Sequence, residues 1–305
     1  MRAHGNRPGQ GEGVGVEALS ARIIDGKAIA SEIRATYRER VEKLVEQTGV
    51  RPGLAVILVG DDPASALYVR NKTHACRTVG VASFTSRLPW STTTDQLVEI
   101  IERFNADDAV HGILVQLPLP PHIDMARVLE AIAVEKDVDG FHLYNVGGLV
   151  VGNTVFPPCT PYGVVTLLEH EGIRIEGQNV VVVGASNIVG KPMALMLMQR
   201  DATVAICHAK TRDLAQFTIL ADILVVAAGH PNLIVPQMVK TGAVVIDVGI
   251  NRLPDGRITG DVDFEGVRQK ASYITPVPGG VGPMTVTMLL GNTIASAERA
   301  LRRAA

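Results

Sequence analysis

The sequence predicts an α/β protein of two domains. Three observations carry this. Short apolar, β-branched runs alternate with amphipathic helical stretches along most of the chain, the pattern of parallel strands joined by crossover helices. One run, Asn179–Val183, is followed by Gly184, a polar turn and a helical segment opening at Gly190, which is the arrangement that holds a nucleotide's phosphates. The length, 305 residues, accommodates two domains of ordinary size.

Composition narrows the class. The chain is 47% hydrophobic, 20% charged and 4% aromatic, so it can fill large cores and is not wholesale disordered. A net charge of −2 without a long basic block argues against nucleic acid as a partner. Cys76, Cys159 and Cys207 are far apart and lack C-x-x-C spacing, which suits a reducing compartment and neither a disulfide framework nor a zinc site. The eight histidines form no H-x-x-x-H pair, and no metal is assigned. No apolar run approaches the roughly 20 residues of a membrane span. Residues 1–18 are glycine-rich without an apolar centre and read as a disordered extension, not a secretory signal.

In chain order, residues 19–48 read as a short strand and an amphipathic helix, with Ile29, Ile33, Tyr37, Val41 and Leu44 on one stripe. Leu54–Val59 is a buried strand ended by the turn Gly60-Asp61-Asp62-Pro63. A helix runs from Ala64 to Gly80 and carries the first chemically pointed pair. Tyr68 and Lys72 are four residues apart and share a face with Ser65. A lysine partly removed from water has a lowered pKa and can exchange protons near neutrality. Residues 81–89 form a strand, and Thr94 caps the next helix. Val110–Val115 is a short strand with Gln116 at its carboxyl end, where open α/β sheets meet ligands, and prolines close it. After a helix over 126–135, the stretch Lys136–His142 is too rich in charge for a core. Thr160-Pro161 suits the cap and first turn of a helix bridging the two domains.

In the second half, the turn after Asn179–Val183 has the spacing G-x5-G, not G-x-G-x-x-G. Met193, Met196 and Met198 fill core gaps in the helix that follows. Ala202–Cys207, Leu220–Gly229 and Ala243–Asn251 supply further strands of the same sheet. Gly229 and Gly249 stand at strand ends, where a bound cofactor would pass close to the backbone. The loop Ile274–Thr285 holds three glycines and three prolines and suits a ligand-facing position. A last helix, Val286–Arg303, returns to pack on the first domain.

Seven of these segments together resemble one family. They are SALYVRNKTHAC, HGILVQLPLP, KDVDGFH, FPPCTPYG, VVVGASNIVGKP, IDVGIN with GDVDF, and TPVPGGVGPMT, which run from Ser65 to Thr285, and the resemblance covers roughly residues 20–300. In that order they are similar to methylenetetrahydrofolate dehydrogenase/cyclohydrolase. The resemblance implies two α/β domains around a cleft, the second a Rossmann-like parallel sheet, joined by two long helices. The folate-binding catalytic domain would comprise 19–158 plus 286–305, and the NAD(P)-binding domain 159–285. It implies a bifunctional enzyme, a cytoplasmic homodimer serving one-carbon metabolism and purine biosynthesis. It would oxidise 5,10-methylenetetrahydrofolate with NADP and hydrolyse the methenyl product to 10-formyltetrahydrofolate. In it Lys72 would be the central catalytic group, Tyr68 would stack on the folate, and Gln116 would hold Lys72 and help place the water. Asp139 would hydrogen-bond the pterin ring. Pro278, Gly279 and Gly280 would line the folate and nicotinamide region, while Gly184, Ala185, Ser186, His208, Lys210 and Ile250 would contact the cofactor.

One position departs from the pattern. Ala185 stands where the family usually has the Arg expected to meet the 2′-phosphate of NADP, which leaves NAD open. Yet Cys207-His208-Ala209-Lys210-Thr211 after the second strand has no carboxylate to hold a ribose diol, and Lys210, Ser186 and His208 can take the anion. A short-chain dehydrogenase also uses a Tyr-x-x-x-Lys pair, but there the glycine turn precedes it, whereas here Tyr68 comes first. Loss of one of the two activities and a non-catalytic binding module are the other readings; the intact Lys72 and Gln116 argue against the module.

Overall fold

The structure is a computed structural model that describes residues 20–304, so the glycine-rich stretch 1–18 lies outside the described residues. A short strand, β1 (Arg22–Ile23), leads into α1 (Gly26–Thr48). The helix starts where it does because the Asp25 carboxylate accepts the N–H groups of Lys27 and Ala28, both at 3.0 Å. Then follow β2 (Gly53–Val59), α2 (Pro63–Val79), β3 (Ala82–Leu88), α3 (Thr94–Ala106) and β4 (Gly112–Val115). They form a three-stranded parallel sheet in the order β3-β2-β4. Every residue of β2 is buried, as a strand covered on both faces requires. Leu54, Val56 and Leu58 face the cluster made with α1 and α2, while Ala55, Ile57 and Val59 face Leu97 and Ile101 of α3.

The chain continues through α4 (Met125–Ala131), α5 (Leu143–Val151) and α6 (Cys159–His170) into the second sheet. There β5 (Asn179–Val183), α7 (Gly190–Met198), β6 (Thr203–Cys207), α8 (Ala215–Thr218), β7 (Ile223–Val226) and β8 (Val244–Asp247) alternate. A hairpin of β9 (Asn251–Arg252) and β10 (Ile258–Thr259), then α9 (Phe264–Arg268), β11 (Tyr273–Ile274) and α10 (Val281–Ala304) complete it. The six-stranded parallel sheet has the order β1-β11-β8-β7-β5-β6. Strand order reverses at β5, with β6 on one side and β7 on the other, and such a switch opens a crevice at the carboxyl ends. One apolar cluster runs from β2 through α1, α6 and α10 to Val180 and Val182 of β5, so the two sheets share a continuous core.

Several local expectations change. The strand after residue 19, assigned from sequence to the first domain, pairs with β11 in the second sheet; two strand residues carry no periodicity that could place them. The cap of α3 is Thr93, not Thr94, in a reciprocal capping box with Gln96. The helix predicted over 126–135 stops at Ala131 and resumes as a 3-10 turn, Val134–Lys136. Thr160 lies inside α6, whose cap position is Pro158, and its hydroxyl meets that of Thr285 on α10 at 3.0 Å. Helix α10 begins at Val281, five residues before the predicted start, so the glycine-proline loop is shorter than it reads.

The turn after β5 is set by two close approaches. Gly184 has φ +120°, and a Cβ there would overlap the Ala227 carbonyl at the end of β7. A Cβ on Gly190 would overlap the carbonyl of Gly184 itself. Gly184→Ala is therefore expected to cost about 2–4 kcal/mol of stability. It should show as a lower urea midpoint at unchanged slope, and a midpoint equal to that of the unchanged chain would mean the turn relaxes freely.

Candidate active site

Helix α2 begins at a fixed point. The Asp62 carboxylate accepts the Ser65 N–H at 2.7 Å, and Pro63 pre-sets the first turn. Ser65 is thus spent on the helix start and buried, not part of a site. Tyr68 and Lys72 project one turn apart from there. Opposite them, the end of β4 presents Gln116. The Lys72 ammonium donates to Gln116 Oε1 at 3.0 Å, and Gln116 Nε2 donates to the Leu117 carbonyl at 2.7 Å, which fixes the amide's orientation. Burial lowers the pKa of Lys72, while the carboxylate of Asp139 acts against it. Burial pushes Asp139 up to about 6, against the pull of the Lys72 ammonium and with Asp137 nearby adding to the rise. An amine and a carboxyl that both resist charge make a pair suited to moving protons near neutral pH.

The stretch Lys136–His142, too charged for a core by sequence, is largely inside. Asp137 is 1% exposed. Its carboxylate accepts from the N–H groups of Gly140, Phe141 and His142 and from Asn145 Nδ2, the last at 2.7 Å. Those donors replace its water and make burial tolerable. Asn145 in turn accepts the Phe156 N–H at 3.2 Å. Lys136 points the other way, donating to the carbonyls of Phe104, Asn105 and Asp107 at the end of α3. On the far side the Val138 carbonyl receives Asn292 Nδ2 of α10 at 2.8 Å and the Cys159 thiol at 3.2 Å. Asp139 therefore sits on a turn clamped from both sides. Asp137, Asn145, Cys159 and Asn292 escape the sequence reading. The one local sign is Asn292, which with Thr293 interrupts the otherwise apolar stretch Met288–Ile294.

The facing wall is built from the second sheet. Asp247, at the end of β8, accepts the N–H groups of Gly249, Asp261 and Val262 at 2.9–3.0 Å. Burial pushes its carboxyl up to about 6, although these donors pull it down. Asp261 accepts the N–H groups of Ala228, Gly229 and His230 and Asn251 Nδ2. The sequence predicts that Gly229 and Gly249 make room for a cofactor. The structure gives the Gly229 N–H to Asp261 at 2.9 Å, and a Cβ on Gly249 would overlap the same carboxylate.

Between these walls lies a cleft of about 570 Å³. Tyr68, Asn71, Lys27 and Arg34 line one side, and Ile250, Arg252, Pro278, Gly279 and Gly280 the other. Tyr68 is 36% exposed. Lys72, one turn beyond it, is more deeply set and is not part of the cleft lining. Arg34, which reaches Thr287 Oγ1 and the Pro283 carbonyl, and Arg252 are cleft residues without a sequence motif.

Gly184, Ala185 and Ser186 form a second group, at the carboxyl end of β5. The Gly184 N–H donates to the Cys207 carbonyl at 2.9 Å, which sets this turn beside His208 and Lys210 after β6. None of the five lines the cleft. The helix N-terminus is less open than the sequence implies. Ser186 Oγ accepts the N–H groups of Val189 and Gly190, at 3.1 and 3.4 Å, and the Ser186 carbonyl accepts that of Lys191. His208, Ala209 and Lys210 are exposed, and the Lys210 ammonium has no ion pair among the described residues.

Comparison with known proteins matches both halves. Residues 24–139 fit the catalytic domain, and residues 158–301 the NAD(P)-binding domain, of tetrahydrofolate dehydrogenase/cyclohydrolase. The chain is 60% identical over 285 residues to the bifunctional protein FolD of Nitrosospira multiformis, covering 93% of this chain and 99% of that protein. It is similar to the crystal structure of the FolD methylenetetrahydrofolate dehydrogenase/cyclohydrolase of Campylobacter jejuni, with a TM-score of 0.90 and 52% identity over 92% of this chain and 100% of that one. The Trypanosoma brucei enzyme, solved with NADP and an inhibitor, gives a TM-score of 0.90 at 42% identity over 93% of this chain and 99% of that one. With both domain models matched and relatives of this identity covered almost end to end, the chain belongs to the tetrahydrofolate dehydrogenase/cyclohydrolase family.

Proposed function

We propose that the chain oxidises 5,10-methylenetetrahydrofolate to the methenyl form with NADP and then hydrolyses that product to 10-formyltetrahydrofolate, supplying one-carbon units for uses such as purine biosynthesis. The observation that carries this is the half-buried Lys72 amine held by Gln116 beside Asp139, one helical turn beyond Tyr68, which lines the cleft that the second sheet's loops complete. The folate unit comprises 19–158 with 286–305 and the nucleotide unit 159–285, except that β1 pairs in the second sheet. NADP, when bound, takes up the hydride. For that step the chain need only hold the folate, with Tyr68 as a platform and Pro278–Gly280 opposite, in line and away from water.

Hydrolysis asks more of the side chains. Water adds to the methenyl carbon and gives one proton to Lys72 in its unprotonated form, which burial favours. Gln116 orients the amine and the water. The remaining hydroxyl proton passes to N5 as the C–N5 bond breaks and the formyl C=O forms. Asp139, when ionised, accepts the N–H donors of the pterin ring.

For the cofactor, Ser186, His208 and Lys210 lie at the strand switch with no carboxylate among them, which suits an anionic 2′-substituent even with Ala185 in place of Arg. We also infer a cytoplasmic homodimer through the second sheet. Strand β6 is its outer edge, and Ile206, Phe217, Ile219 and Leu220 are exposed there and along the following segment.

Three outcomes test the reading. Lys72→Ala should lower methenyl hydrolysis by about 10²–10⁴-fold while leaving circular dichroism and NADP binding unchanged, and retained hydrolysis would remove the lysine from the mechanism. Because Asp139 titrates at about 6, kcat/KM for the folate should fall about tenfold per pH unit below that value. Asp139→Asn should flatten that limb, and a limb that persists in this variant belongs to another group. Following the methenyl product by absorbance, NAD should give a lower dehydrogenase kcat/KM than NADP; equal efficiency would end the NADP assignment.

A further inference from the structure

A second cavity, of about 440 Å³, shares no lining residue with the cleft. Its walls are the last turns of α10, the segment Asn153–Phe156 and the Glu135–Lys136 pair that leads into the Asp137 turn. Arg299, Arg302 and Arg303 stand at i, i+3 and i+4 on one face of α10 and all reach this cavity. Arg299 is held in place. Its guanidinium lies 4.8 Å from the centre of the Phe156 ring, and Nη1 donates to the Val155 carbonyl at 2.8 Å. No carboxylate pairs with Arg299 or Arg302 among the described residues, whereas Arg303 is paired with Glu135 at 2.9 Å.

The charges do not balance. Among the described lining residues, four cations, the three arginines and Lys136, face two carboxylates, Glu135 and Asp108, with the Asp107 carboxylate also acting on Lys136. Lys136 is spent on three main-chain carbonyls. His111 on the same wall accepts the Gly53 N–H through Nδ1, and burial together with Lys136 lowers its pKa, so it adds no charge near neutrality. Burial and the two neighbouring arginines also lower the pKa of Arg299, so its charge sits in an unfavourable place. Like charges on one helix face destabilise each other unless an anion lies between them.

We propose that this cavity is a binding site for a small dianion, a phosphate or dicarboxylate group, received by the free edges of the Arg299 and Arg302 guanidiniums. The rigid planar fork of arginine suits either group, and the two guanidiniums without a carboxylate partner among the described residues, Arg299 and Arg302, match the two charges of a dianion.

The test is calorimetric titration of the full chain with inorganic phosphate and, separately, succinate. NADP is present at saturation to fill the nucleotide site, and ionic strength is held constant with chloride. Saturable one-site binding, with Kd on the order of 10⁻⁴–10⁻³ M, is expected for at least one of the two. Tighter phosphate binding would identify a phosphoryl ligand, and tighter succinate binding a dicarboxylate. Arg302→Gln removes a side chain with no hydrogen bond among the described residues and should leave both catalytic rates unchanged. It should weaken binding about tenfold or more, and Arg299→Lys, which keeps the charge but loses the fork, should weaken it in part. Absence of saturable binding by either anion, or equal affinity in Arg302→Gln, would overturn the proposal.

Discussion

A carboxylate can leave water only where N–H donors take water's place. Asp137, Asp247 and Asp261 meet that condition, and the cleft is built on them. Asp137 gathers three main-chain N–H groups and Asn145, and so folds a charged heptapeptide inward and fixes Asp139. Asp247 and Asp261 knit the ends of β7 and β8 to the β9–β10 hairpin. Each carboxylate also dictates where glycine must stand, since side chains at 249 and 260 would collide with Asp261 and Asp247. The walls are thus consequences of polar saturation and not of apolar packing alone.

Apolar packing does the complementary work of relating the two walls. Helix α10 passes from the glycine-proline loop to the first sheet and lies against α1 and α6, with Met284, Met288 and Leu289 in the core shared with both sheets. The same helix supplies Asn292 to the Val138 carbonyl. One element therefore holds the turn that carries Asp139 and follows directly on the loop that lines the cleft. Lys72 and Gln116 come from neighbouring parallel-sheet units, α2 and β4, whose relation is fixed by the register of β2 with β4. The low basicity of Lys72 follows from that packing. Its charge is partly buried with one amide oxygen and one reluctant carboxyl for company.

Much of this was legible in the chain. Strands and helices alternate as the apolar runs indicate, and the Tyr68–Lys72 spacing puts both groups on one face of a helix whose caps are written as Asp62-Pro63 and Gly80. Gln116 at a strand end was legible for the same reason. The charged turn 136–142 was not, because burial of Asp137 depends on donors whose geometry exists only after the turn has closed. The helix start at Gly190 was legible, but the capture of its N–H groups by Ser186 was not, since a serine in a turn can face either way. The sheet that β1 joins and the early start of α10 were missed because two residues of strand have no period, and because Pro283 can stand in a first helical turn as readily as in a loop.

By itself the sequence determined the α/β class and the positions of the buried strands, and it put Tyr68 and Lys72 on one helix face and Gln116 at a strand end. These follow from periodicity and spacing, which are properties of neighbours along the chain. Only the tertiary structure decided how far Lys72 is withdrawn from water, which donors hold Asp137 and Asp261, and that three arginines of one helix end converge on a separate cavity. Those depend on groups more than a hundred residues apart in sequence, such as Val138 and Asn292, and a buried charge takes its pKa from the neighbours that folding brings to it.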